Sequence, residues 1–183
     1  MSAKKLSLLR FWDRRVHRLQ PALLLVASTT VVVLNVLFDE DFVSDNCGDA
    51  LFVLVSAANF KFYTFDSYFD RPEDRIFLHC WSLAVEEQFY FIYPTACAAI
   101  WTLGKQVTSQ PRAIGAFMQV VWIVASIASL GTCIVAADMD ANFGYYMLPA
   151  RAWQMLLGAL VAMPCLCQRC SCLHNVIVFG NSL

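Results

Sequence analysis

The chain has 183 residues, of which 59% are hydrophobic and only 15% charged, with a formal net charge of -1 and a mean hydropathy of +0.57. Soluble domains carry roughly a quarter of their residues as charges. The excess of apolar residues here falls in blocks of membrane-spanning length between short charged joints. Composition therefore excludes an ordinary soluble domain, and the lack of a dense basic stripe gives no footing for nucleic acid. The expected class is an all-α polytopic transmembrane helical bundle over residues 1–183. Of eight cysteines, four crowd into the last twenty residues, which is no secreted disulfide framework. No cleavable signal pattern opens the chain, because a long basic segment precedes the first apolar run.

Met1 to Gln20 form a basic arm carrying Lys4, Lys5, Arg10, Arg14, Arg15, His17 and Arg18, with Phe11 and Trp12 as interfacial anchors. The first span is expected over residues 21–38, opened by Pro21, whose missing N–H would be unpaired in a first turn anyway. Asp39, Glu40, Asp41, Asp45 and Asp49 follow without a basic residue, so the arm is expected in the cytoplasm and this joint on the far side. Segment 50–65 is apolar but short for a span and interrupted by Asn59 and Lys61, which predicts a re-entrant or interfacial piece. A polar loop follows over 66–75.

Further spans are expected over 83–103, 114–137 and 151–167, with Lys105 and Arg112 in one joint and Asp138 and Asp140 in the next. Four full spans put every basic joint in the cytoplasm and every acidic joint outside; a fifth, over 50–65, would put Lys105 and Arg112 outside. The expectation is a multi-pass membrane protein with a cytoplasmic N-terminus, in either the plasma membrane or an endomembrane.

The stretch from His79 to Tyr90, HCWSLAVEEQFY, concentrates the polar chemistry. A carboxylate pair entering an apolar helix is costly unless solvated or facing a polar cavity. Residues three and four apart share a helical face, which aligns His79 with Ser82 and Ser82 with Glu86, and sets both acids beside Tyr90. Glu86 and Glu87 point about 100° apart, so one can face a cavity while the other faces headgroups or a neighbouring helix. A histidine near a glutamate is the minimal base-plus-orienter for activating a hydroxyl. A polar anchor is the simpler account of His79 alone. Arg151 is either a snorkelling side chain or a fork for a carboxylate or phosphate. Arg14, Arg15 and Arg18 satisfy the charge bias of the arm and equally suit the phosphates of a nucleotide-containing donor. Cys165, Cys167, Cys170 and Cys172, near His174, suit lipidation better than a metal knot, and no metal site or bound cofactor is expected. Cys47 and Cys80 would share the outer face and could pair.

Several of these stretches resemble the membrane-bound acyltransferase type 3 family. The segment from Arg14 to Pro21 is similar to its basic R-x-x-R element before a proline-opened span. Asn59-Phe60 and Tyr68-Phe69-Asp70 resemble its N-(W/F) and YFD elements. His79 to Tyr90 resembles H-x-W-S-L-x-V-E-E-Q-F-Y, a long and specific match, and Pro149 to Gly158 is similar to R-x-W-E-x-x-x-G. The resemblance implies transfer of an acyl group, usually acetyl, from cytoplasmic acyl-coenzyme A to a hydroxyl, often of a sugar or lipid-linked acceptor at the other face of the bilayer. It implies His79, Glu86 and Glu87 as catalytic residues. It implies Arg15, Arg18, Trp81, Ser82, Gln88, Tyr90, Arg151 and Trp153 as substrate-binding residues. Gln154 departs from the pattern, standing where the family usually has a glutamate. The family's first span, with its arginine and histidine ten residues apart, should precede the arm, and a further element should follow Leu183. The expectation is therefore an internal section of a longer protein, inactive by itself. The alternative is a non-catalytic membrane subunit or transporter-like fragment whose polar residues line a passage.

Overall fold

A computed structural model describes residues 8–64 and 75–168. Among these there is helix and turn and no strand. The helices are α1 (Leu8–Leu37), α2 (Glu40–Leu54), α3 (Ala58–Tyr63), α4 (Trp81–Val107), α5 (Pro111–Met139), α6 (Ala141–Tyr146) and α7 (Leu148–Gln168), with a 3-10 turn, Leu78–Cys80, leading into α4.

Among the described residues two helices are long and apolar enough to cross a membrane: α1, and α5 over Arg112–Met139. Only 11% of the apolar window of α1 and 22% of that of α5 is buried by the protein itself. These are therefore not core helices of a soluble protein. Leu25, Val32, Val36, Ile127 and Ile134 point outward on them, a pattern that suits lipid and not water. The protein is a membrane protein on this composition. The basic arm and first span, expected as separate pieces, are one continuous helix among the described residues, with Pro21 inside it.

The acidic joint also differs from expectation. It is the body of α2, because Glu40 and Asp41 occupy a first turn, where the helix dipole favours acids. Fifteen residues rise only about 22 Å, short of a bilayer core of about 30 Å. Residues 50–54 of the segment expected over 50–65 are the end of α2, and the rest does not prolong that helix. The chain breaks at Ser56, whose φ of 56° lies in the left-handed region, and α3 is six residues long.

One apolar core joins Ala27 of α1, Ala50 and Val53 of α2, Phe62 of α3, Trp81, Ala84 and Val85 of α4, and Tyr146 of α6. A second joins Phe89 and Trp101 of α4 to Ile114, Met118 and Trp122 of α5 and Leu156 of α7. Helix α4 passes through both, with Trp81 to Val85 in one and Phe89 to Trp101 in the other.

Two side chains inserted into the hydrogen-bond ladders of neighbouring helices lock the fold. Pro94 lies inside α4 and has no N–H for the carbonyl of Tyr90, four residues before it. Trp12 Nε1 of α1 donates to that carbonyl instead, at 3.4 Å, and the Trp12 ring stacks on Phe91 at 4.7 Å. In α7, Ser129 of α5 is inserted into the first turn. Its hydroxyl donates to the Pro149 carbonyl at 2.6 Å and accepts from the Trp153 N–H at 2.9 Å. The start of α1 thus meets the middle of α4, while Ala27 packs level with the start of α4, so the two helices run antiparallel.

Candidate functional site

The site is built on the first half of α4. Glu87 is half-buried and accepts a hydrogen bond from the hydroxyl of Ser56. Gln88, the next residue, donates to the Ser56 carbonyl at 3.0 Å and to Asn59 Oδ1 at 2.8 Å. Asn59 is fully buried and donates to the Tyr146 carbonyl at 3.3 Å, with Gln88 Oε1 at 3.5 Å. One polar knot therefore ties the α2–α3 break, α4 and α6 together. A buried amide with its partners made is tolerable where an unpaired one is not.

Glu86 is exposed on the neighbouring face, in one column with exposed His79 and Ser82. Ser82 donates to the His79 carbonyl at 3.3 Å. The two acids thus diverge as the helical repeat requires: Glu87 faces inward and Glu86 outward.

Arg15 lies over the Tyr90 ring, 3.3 Å from its centroid, and 5.5 Å from that of Phe11. Tyr90 follows Glu87 by three residues, so the guanidinium sits beside the face of α4 that carries Glu87. The Trp12 anchor explains its reach, since it docks α1 against α4 one turn away. Arg18 is exposed. At the head of α4, Arg151 stacks on Trp81 and Tyr145, 4.7 Å from each ring centroid, and its Nε donates to the Tyr145 carbonyl at 2.8 Å. Trp81 is itself buried against Tyr145 and Tyr146. The inward indole N–H of Trp153 has no partner among the described residues. The fold brings Arg15, Tyr90, Glu87 and Gln88 together, and separately Trp81 with Arg151; His79 and Glu86 share a different face.

A charged cluster braces the segment before the turn. Asp49, with no exposed side-chain surface, receives both oxygens' worth of hydrogen bonds from Arg75 Nη1, at 3.2 and 3.0 Å. Arg75 also pairs with Asp45 at 3.3 Å, and Lys61 lies 4.0 Å from Asp49. Buried Asn46 accepts the Ile76 N–H at 3.1 Å. Burial pushes the Asp49 carboxyl above the usual range despite the downward pull of Arg75 and Lys61. At the end of α5, Asp140 accepts from the Phe143 N–H at 3.0 Å and the Tyr63 hydroxyl at 2.8 Å, and these bonds hold its carboxyl low.

Sequence reasoning missed Ser56, Asp49, Asn46 and Arg75. The acids read as a solvated joint and Arg75 as part of a loop. Cys47 and Cys80, offered as a pair, are free thiols, and burial raises the pKa of Cys80. Among the described residues no group of His, Cys, Asp or Glu is arranged to hold a metal ion. Tyr68-Phe69-Asp70, Cys170, Cys172 and His174 lie outside the described residues, as do the side chains of Cys165 and Cys167.

No family model matches the chain, and no solved structure matches it significantly. Curated relatives do. The chain is 31% identical over 162 residues to O-acetyltransferase OatA of Staphylococcus aureus, covering 87% of this chain and 25% of that protein. It is 31% identical over 155 residues to the putative peptidoglycan O-acetyltransferase YrhL of Bacillus subtilis, covering 84% and 23%. It is 29% identical over 165 residues to peptidoglycan O-acetyltransferase OatA of Listeria monocytogenes, covering 87% and 25%. The chain spans about a quarter of the length of the curated relatives it matches. These relatives bear out the resemblance read from the motifs: the chain is acyltransferase type 3-like, akin to O-acetyltransferases.

Proposed function

We propose that this acyltransferase type 3-like chain supplies part of a membrane O-acyltransferase site, moving acetyl from acetyl-coenzyme A to a hydroxyl of a carbohydrate. The observation that carries the reading is the meeting of a cation of α1 with the acid-bearing face of α4. Arg15 lies over Tyr90, three residues beyond Glu87, while Glu87 is held inward by Ser56. In this reading α1, α4, α5 and α7 span the bilayer, the end bearing Lys105 and Arg112 faces the cytoplasm, and Arg15 sits part-way along α4, over Tyr90.

The chemistry follows from the residues. Arg15 and Arg18 hold donor phosphates, as guanidinium forks suit. The acceptor O–H gives its proton to Glu87 as its oxygen bonds to the thioester carbonyl carbon. The C–S bond then breaks, and the departing thiolate of coenzyme A takes up a proton. Trp81 and Arg151, locked by stacking, line the approach of the acceptor, and His79 and Glu86 bind it at the outer face.

The test uses two samples: the chain in lipid vesicles, and a chimaera in which it replaces the matching 165 residues of the Listeria relative. Labelled acetyl-coenzyme A and a peptidoglycan acceptor are supplied. Transfer by the chimaera above the protein-free rate supports the reading. A folded chimaera and a folded chain that both leave the acceptor unlabelled refute it.

A further inference from the structure

The α2–α3 break is the feature that the family motifs leave unused. Ser56 adopts a φ of 56°, a conformation that side-chain-bearing residues adopt only rarely and that glycine adopts without steric cost. Persistent left-handed residues of this kind cluster at working sites, where the surroundings hold them in place. Here three bonds do so. The Ser56 N–H donates to the Val53 carbonyl at 3.1 Å, its carbonyl accepts from Gln88 Nε2 at 3.0 Å, and its hydroxyl donates to Glu87 Oε2. Buried Asn59 fixes Gln88 from the other side. Glycine would satisfy the backbone and lose only the hydroxyl.

We propose that Ser56 is a positioning residue for Glu87, and that Glu87, not Glu86, is the acid that acts on the acceptor hydroxyl. The second half rests on the function proposed above. The left-handed turn aims the hydroxyl of Ser56 at one carboxylate oxygen. That bond fixes the rotamer of Glu87 and leaves its other oxygen to receive the acceptor proton. Arg15 reaches α4 over the ring of Tyr90, three residues beyond Glu87. Glu86, exposed, has no such frame. Ser56 itself forms no covalent bond in the reaction.

The experiment compares Ser56→Gly and Ser56→Ala in the 183-residue chain in vesicles. The readout is the carboxyl infrared band of Glu87, isolated by subtracting the Glu87→Gln spectrum in each background. Thermal unfolding is measured alongside. Both variants lack the hydroxyl, but only glycine relieves the backbone. The expected result is a shifted Glu87 band in both, with the Tm of the glycine variant equal to or above that of the unmodified chain. An unmoved band in either variant overturns the proposal, since a shift in alanine alone traces to the backbone. In the chimaera, both variants are expected to lower kcat by about 10- to 100-fold with KM unchanged, the loss of one hydrogen bond to a charged group. Unchanged kcat overturns the role of Ser56 while the acyl-transfer reading stands. A folded, unmodified chimaera and a folded chain that both lack activity refute the acyl-transfer reading, with the infrared result still deciding what Ser56 does to Glu87.

Discussion

Replacing Arg75 with alanine tests whether the charged cluster is a brace or a surface ornament. Arg75 gives two hydrogen bonds to Asp49 and pairs with Asp45; its side chain is 17% exposed and that of Asp49 is 0%. Removing one member of a buried pair costs about 3–5 kcal/mol, because the remaining charge stays buried. Lys61, 4.0 Å from Asp49, still offsets part of that charge, which places the expected cost near 3 kcal/mol. For a chain of this size that lowers Tm by about 6–12 °C. Asp49→Asn should cost less, under about 1.5 kcal/mol, since it keeps an acceptor for Arg75 and removes the charge that burial disfavours. The pH dependence carries a sign. Asp49 has a raised pKa in the fold, so its contribution to stability is fully present below the ordinary carboxylate range and is lost as pH rises through the raised value. The stability of the unmodified chain relative to Asp49→Asn should therefore fall with rising pH across that window. The assay is thermal unfolding in detergent micelles, followed by far-ultraviolet circular dichroism at a series of pH values. An asparagine variant as damaged as Arg75→Ala, or a relative stability that grows with pH, would refute the reasoning.

Three further predictions follow from packing and capping. A Cβ on Gly104 would meet Ile114 Cγ2 at 2.8 Å, so Gly104→Ala should lower Tm despite a helix-propensity gain of about 1 kcal/mol. In an Ile114→Ala background the same change should raise Tm, and a four-variant unfolding cycle reads that reversal. Asn59→Leu strands the Gln88 amide and the Tyr146 carbonyl and should cost about 2 kcal/mol, part of which Gln88→Met in the same chain should recover, as measured by chemical unfolding. Asp140 has a depressed pKa, so the stability it contributes is present above the ordinary carboxylate range and is lost as pH falls through the depressed value. Tyr63→Phe removes one of its donors and should start acid unfolding at a higher pH in a circular-dichroism titration.

Much of the helical content and the importance of α4 were legible, because apolar blocks and a dense polar motif are local signals. The divergence of Glu86 and Glu87 was legible as well, since it needs only the helical repeat. Which acid faces inward was not. That choice depends on Ser56, distant in sequence, and on a backbone conformation that no residue type there announces. Asp49 was misplaced for a related reason. Five acids within eleven residues read as solvated, whereas a helix sorts them onto faces and buries the one opposite Arg75. The contact of Arg15 with Tyr90 was hidden too. It follows from Pro94 freeing a carbonyl that Trp12 then fills, a link between residues 78 positions apart.

The account stands on Glu87 being the acid that takes the acceptor proton. Acetyl transfer by the chimaera carrying Glu87→Gln, set beside Glu86→Gln, measures this most directly. The expected result is a fall in kcat of at least about 100-fold for Glu87→Gln, the scale of a lost general base, and a much smaller change for Glu86→Gln. Equal losses at both positions, or the larger loss at Glu86, would contradict it.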